Sequence, residues 1–220
     1  MLKLNQIKKD PQVQELIKQT EIAMGAIGYT EHGLPHANLV ASRARDVARE
    51  IGLSSREEEL AAISGFCHDM GNFMTREYHN YFGSLLFHQI FNEKFEPKEM
   101  FQIMQAISNH DKAEMNFTNK ISAILVLADK SDVRKSRVMI KDVKEIEKDI
   151  HNRVNFATKK SVLKVNKDKK TITLTLSINN KSVPVIEYFE IFTNRMVYCR
   201  QAAKYLNYHF GLVINNFKLL

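Results

Sequence analysis

A chain of 220 residues suits one domain, or one domain with a small appendage, and 44% hydrophobic residues are enough to build a core, which excludes a disordered chain. Only Cys67 and Cys199 are present, giving neither a disulfide framework nor zinc–cysteine spacing, and a reducing cytoplasm is the simplest location. No apolar run approaches the ~20 residues of a membrane span, the start lacks the apolar stretch of a signal peptide, and no membrane partner is expected. The net charge of +7 is locally dense at 130–144 and 159–170. It suits either a phosphorylated ligand or nucleic acid, or simply a set of solvated lysines.

The first two-thirds of the chain reads as helices. Asp10-Pro11 is a helix start, a capping side chain followed by proline in the first turn, and the helix runs to about Ile27. A second helix covers about Pro35 to Ile51, with Val40, Ala44, Val47 and Ile51 as its apolar stripe and Gly52 as its stop. Ser54 and Glu57 form a capping box that opens a third, which carries Leu60, Ile63, Phe66 and Cys67 on to Gly71. A fourth spans roughly 78–93 and a fifth runs from Pro97 to about Asn109. The sixth, 119–133, is apolar nearly all round and should be central, and a charged seventh fits 141–156.

After residue 157 the period changes from helical to alternating. SVLKVN and TITLTLSIN, separated by the turn at Asn166–Lys170, predict a β-hairpin. Ser182 and Pro184 open a long helix to about His209, and GLVINNFKL is a candidate third strand. The expected fold is mainly α, a helical bundle over 1–157 with a small C-terminal α+β unit over 158–220. The Tyr- and Phe-rich helix of that unit suits a homodimer surface as well as a core. Its hairpin lysines favour nucleic acid only weakly, since few aromatics accompany them.

Several polar groups sit on apolar helix faces. His36 lies four residues before Val40, His68 and Asp69 end the run AAISGFC, His110 follows Ile103 and Ile107, and Asp129 follows Leu125. A carboxylate on such a face is costly unless paired, and a metal ion meets the need of all these groups at once. A histidine taken alone on such a face is more often a hydrogen-bonded core residue, Asp129 alone could be a helix-end cap partner, and Asp69 alone could belong to the turn at Met70–Asn72. Histidine with carboxylate and no cysteine suits iron, manganese, zinc, cobalt or magnesium.

The ordered set resembles the HD-domain metal-dependent phosphohydrolase superfamily over roughly 30–135. CHDMGN is similar to that family's LHDIGK stretch, HNYFGS to its H-x-x-x-G-A stretch, AISNHD to the stretch carrying a further ligand, and LVLADKSDVRKSRV to its closing aspartate helix. The resemblance implies that His36, His68, Asp69 and Asp129 hold a first metal, with Asp69 bridging and essential for catalysis. It implies that His79 and His110 hold a second ion, so that one or two divalent ions bind, iron or manganese first, with zinc, cobalt, nickel or magnesium as alternatives. Asp111 stands where some relatives carry another histidine, and either ligates as a carboxylate or leaves the second site weaker. Asn72 replaces the usual lysine, and the signatures of cyclic-di-GMP and alarmone hydrolases, GYP and HDxxED, are absent.

The activity implied is hydrolysis of a phosphate ester, a nucleotide or related small molecule. Lys130, Arg134 and Arg137, at i, i+4 and i+7, are candidates for holding its phosphate, with Lys112, Asn72 and His32 at the mouth of the site. Two rival expectations use the same residues. One is a di-iron oxygenase, and the other a non-catalytic metal-binding or regulatory protein whose C-terminal unit binds a partner or RNA.

Overall fold

The structure, a computed structural model, describes residues 2–112 and 115–219. Helices α1 (Leu4–Ile7), α2 (Pro11–Ala26), α3 (Leu34–Glu50), α4 (Ser55–Cys67), α5 (His79–Phe91), α6 (Pro97–Asn109) and α7 (Lys120–Lys130) build the bundle. Two short helices, α8 (Val143–Lys148) and α9 (Ile150–Ala157), lead to β1 (Thr158–Asn166) and β2 (Thr171–Ile178), then α10 (Val185–Tyr205), β3 (His209–Ile214) and β4 (Phe217–Lys218). Two start signals act as read, but Ser182 caps nothing: the long helix begins at Val185, after Pro184, and ends at Tyr205, before His209, which opens β3. Asp10 accepts from the amides of Gln12 and Val13, and Ser54 and Glu57 form the reciprocal capping box.

Every side chain of α7 from Ile121 to Lys130 is buried, because the helix is walled by α3, α4, α6 and α10. That placement follows from its lack of a polar face. The chain then differs from expectation at three helix ends. The third helix stops at Cys67 rather than Gly71, with Asp69 at φ −96°, ψ 2° and a tight 3-10 turn over Met70–Phe73. The sixth stops at Lys130 rather than 133, and Arg134 is extended. The charged helix expected over 141–156 is broken at Asp149, whose extended backbone and side-chain acceptor for the Asn152 amide start a new helix, the ordinary habit of a capping aspartate.

The third strand is present, followed by the short β4, and the sheet order is β1-β2-β3-β4. The hairpin is antiparallel, but β2 and β3 run parallel, so α10 is the crossover between them. One face of β2, with Ile172, Leu174, Leu176 and Ile178, is buried. A single apolar cluster continues from the bundle through Val154 and Ala157 into this unit, and α10 lies along α7. Among the described residues no helix is long and apolar enough to cross a membrane.

Candidate metal centre

Helix ends deliver the polar groups. His36 stands in the first turn of α3, and Asp129 in the last turn of α7. His68 and His110 follow the last residues of α4 and α6, and His79 opens α5. Two glycines let the backbones come this close. A Cβ on Gly65 would lie 3.0 Å from the backbone of Val40 and Ala41, so only glycine lets α4 press on α3 beside His36. A Cβ on Gly71 would lie 2.1 Å from the His79 carbonyl oxygen and 2.6 Å from the Gly83 nitrogen, and its absence seats the turn after Asp69 on α5.

The four histidines point the same way for one reason. Nδ1 of His68 donates to the Gly65 carbonyl (2.8 Å), Nδ1 of His79 to the Arg76 carbonyl (2.8 Å), and Nδ1 of His110 to the Ile107 carbonyl (2.6 Å). Nδ1 of His36 donates to Asp132 Oδ2 at 2.8 Å. A carbonyl can only accept, so the Nδ1 atoms carry protons and every Nε2 faces inward, the atom that would present its lone pair to an ion once its own proton is displaced. Those Nε2 atoms converge: His36 and His68 Nε2 are 3.2 Å apart, and His79 and His110 Nε2 are 3.1 Å apart.

Carboxylate oxygens complete the cluster. Asp69 Oδ2 lies 3.5 Å from His36 Nε2 and 3.1 Å from His68 Nε2, and Asp129 Oδ1 lies 3.4 and 3.7 Å from the same two atoms. The other oxygen of Asp69, Oδ1, is 3.4 Å from His79 Nε2 and 3.5 Å from His110 Nε2. Donors that share an ion at about 2.1 Å stand about 3.0–3.5 Å from each other, the spacing seen here. Three overlapping groups could hold a metal ion: His36, His68 and Asp69; His68, His110 and Asp129; and Asp69, His79 and His110.

The electrostatics are those of buried carboxylates ringed by cations. Burial alone would protonate Asp69, but His68 beside it and hydrogen bonds from His110, His36 and His68 hold its carboxyl well below the usual range. Burial likewise opposes the His68 cation, yet Asp69 and Asp129 raise this histidine to about 10. His110 goes the other way, lowered to about 4 by burial and by its histidine neighbours. Burial, then Arg137, holds His32 well below its ordinary value and so neutral.

A surrounding layer holds the donors in place. Asn72 donates to Asp69 Oδ1 (2.8 Å) and accepts from Arg76 (3.0 Å), so it positions Asp69 and is almost fully buried. Lys130 spans Asp129 Oδ2 (2.9 Å) and Asp111 Oδ1 (2.8 Å). Asp111 also bonds Arg76 at 2.7 Å and lies 3.8 Å from His79, which makes it a partner of cations in this structure and places it outside the three donor groups. Arg76 reaches His79 Nε2 as well, at 3.1 Å.

Lys130, Arg134 and Arg137 do not share a helical face, because α7 ends at the first of them. Lys130 and Arg137 line the pit beside Asp69, His110 and Asp129, with His32, Arg76 and Arg195. Arg134 bonds Asp132 (2.8 Å) and Glu31 (3.1 Å) and lines a different groove with Arg43 and Lys160. Lys112 lies over the Tyr81 ring beside His79 and Asp111, in a depression next to the pit. His32 donates to the Thr30 carbonyl and forms part of the rim. Cys67 is a fully buried apolar contact whose thiol is pushed up by burial.

The pit, about 20 Å³, opens on a cavity of about 400 Å³, and the two share His32, Arg76, Arg137 and Arg195. Sequence reasoning missed four functional groups. Asp132 and Glu31 carried a signal only as buried acids near His36, where Glu31 accepts from the Gly33 and His36 amides and caps α3. Arg76 carried none. Arg195 lay seven residues after Tyr188 on the apolar stripe of α10, a position where a cation needs a reason. It stacks on Phe192 at 4.6 Å, and among the described residues no carboxylate lies within ion-pair distance of it.

No family model matches the chain. Over 201 aligned residues it is 25% identical to an uncharacterized protein of Methanocaldococcus jannaschii, and the match covers 81% of this chain and 76% of that one.

Proposed function

We propose that the protein is a metal-dependent phosphohydrolase acting on a small phosphate ester such as a nucleotide. The observation that carries the metal is the convergence of four imidazole Nε2 atoms, each oriented by its own Nδ1–H donation, on two ionised carboxylates. His36, His68, Asp69 and Asp129 would hold a first ion. His79, His110 and Asp69 would hold a second ion more weakly, because Arg76 competes for His79. Iron or manganese suits this nitrogen–oxygen set best, with zinc, cobalt, nickel and magnesium compatible. The bound ions supply water activation and polarisation of a phosphoryl oxygen.

This chain's own residues do the remaining work. Arg195, Arg137, Arg76 and Lys130 crowd cations around the pit, where an anion gains and a neutral ligand does not. Arg195 is the most available, since Lys130 and Arg76 are already committed to Asp111. Asp132 holds the His36 tautomer and Asn72 holds the Asp69 rotamer.

The test is metal content and turnover of full-length protein against a panel of nucleotides and simple phosphomonoesters. One tightly held and one readily chelated ion per chain, with phosphate release, is the expected result. Asp69→Ala should lose both ions and bring phosphate release to background; turnover that survives in that variant, after chelation and metal add-back, defeats the reading. Oxygen consumption without phosphate release would assign the same donors to oxidation instead.

A further inference from the structure

The 400 Å³ cavity above the pit has a second wall that the metal chemistry does not use. It comes from α9 and α10 and includes Asn152, Asn155, His151 and Phe192, and Tyr29 and Thr30 also line the space. Asn155 is fully engaged: its Oδ1 accepts from the Arg134 amide and its Nδ2 donates to the His151 carbonyl. Asn152 differs. Its backbone amide bonds Asp149, but its side-chain Oδ1 is buried and has no hydrogen-bond partner among the described residues. The residue is 2% exposed. An amide oxygen left unpaired in such surroundings is costly, and native proteins retain one where a ligand or an ordered water completes it.

Charge divides the cavity into two ends. The arginines and Lys130 lie at the end shared with the pit, and the asparagines lie outside the pit on the α9 wall, where Asp149 is, among the described residues, the one carboxylate lining the cavity. A phosphate ester entering phosphate-first places its organic part against that wall. The volume suits a ligand of nucleoside monophosphate size, at the small end of ordinary pockets.

We propose that Asn152 is a specificity-determining residue, its Oδ1 accepting a hydrogen bond from an N–H or O–H donor on the organic part of the substrate while Arg195, from the same wall, takes the phosphate. This rests on the phosphohydrolase reading for the direction in which the ligand enters. A base N–H and a sugar hydroxyl offer the same donor chemistry, and the experiment separates them.

The measurement is calorimetric binding to the metal-loaded full chain of inorganic phosphate, and of phosphonate analogues of the nucleoside monophosphates and of ribose 5-phosphate, which are not hydrolysed. In Asn152→Leu, which is similar in size and has no acceptor, affinity for the preferred nucleoside phosphonate should fall about tenfold, while inorganic phosphate changes less than about twofold. Arg195→Met should weaken every ligand, inorganic phosphate included. Loss confined to nucleosides assigns the donor to the base; equal loss with the ribose analogue assigns it to the sugar. Unchanged nucleoside affinity in Asn152→Leu, an equal loss for inorganic phosphate, or no nucleoside binding by the wild type overturns the proposal, and the first would mean that Oδ1 merely holds a water. Thermal unfolding checks that the leucine variant folds, and Asn152→Ser takes its place otherwise. If nucleoside phosphonates bind through Asn152 but no ester is hydrolysed, only the hydrolase reading fails. Hydrolysis without dependence on Asn152 defeats only the subsite.

Discussion

At the scale of single residues, five of the six central donors were legible because each broke the apolar pattern of its own helix, and His79 only through the resemblance. His36, His68, Asp69, His110 and Asp129 are polar groups on faces that otherwise bury only hydrocarbon, and the structure brings all of them within a few ångströms, together with His79. Their supporting residues were not legible, because support is a relation between distant positions. His36 and Asp132 are 96 residues apart and meet at 2.8 Å. Burial opposes ionisation of Asp132, but the hydrogen bond to His36 and the charge of Arg137 keep its carboxyl well below the usual range. Asp132→Asn keeps the shape and removes the charge that selects the Nδ1–H tautomer. It should weaken metal affinity by about 10- to 100-fold with little change in fold, measured by competition with a chromogenic chelator. Wild-type affinity in this variant would show that Asp132 does not orient His36.

At the scale of elements, caps and periodicity located the helices, while the ends moved wherever a side chain preferred a turn. Asp149 divides one expected helix into α8 and α9, and Asp69 leaves α4 early. Both moves matter to the site, since the first places Asn152 on the cavity wall and the second lets Asp69 turn both oxygens toward histidines. The turn after Asp69 depends on Gly71, where an added methyl would overlap backbone atoms of His79 and Gly83 that cannot swing away. Gly71→Ala should therefore cost about 2 kcal/mol or more in urea unfolding and should also lower metal content, since it pushes α5 away from Asp69. A neutral result by both measures would mean that α5 shifts freely and that the close approach is incidental.

At the scale of the whole molecule, the alternating pattern announced the hairpin, and the parallel pairing of β3 with β2 was hidden because strand direction leaves no trace in periodicity. That pairing sends α10 back along α7 and carries Arg195 to the pit, so the C-terminal unit contributes to the site it follows in sequence. The donors come from α3, α5, α7 and the ends of α4 and α6, so each ion would fasten three helices and the two together five. At about a hundredfold excess over its Kd, one such ion adds about 2.7 kcal/mol to stability. For a chain of this size, that corresponds to roughly 5–10 °C in Tm. Chelation should lower Tm by this amount and re-addition of the metal should restore it, in scanning calorimetry. No shift would mean that the cluster holds no ion in solution.

Three of the four histidines take their orientation from a carbonyl of the main chain, at Gly65, Arg76 and Ile107, and one takes it from a side chain, at Asp132. Any residue at 65, 76 or 107 still presents a carbonyl, so no point mutation there can delete the orienting group itself. Codon change reaches only the orienter of His36. Descendants of this gene can therefore retune the site gradually through position 132, while the other three rings are inherited with the backbone.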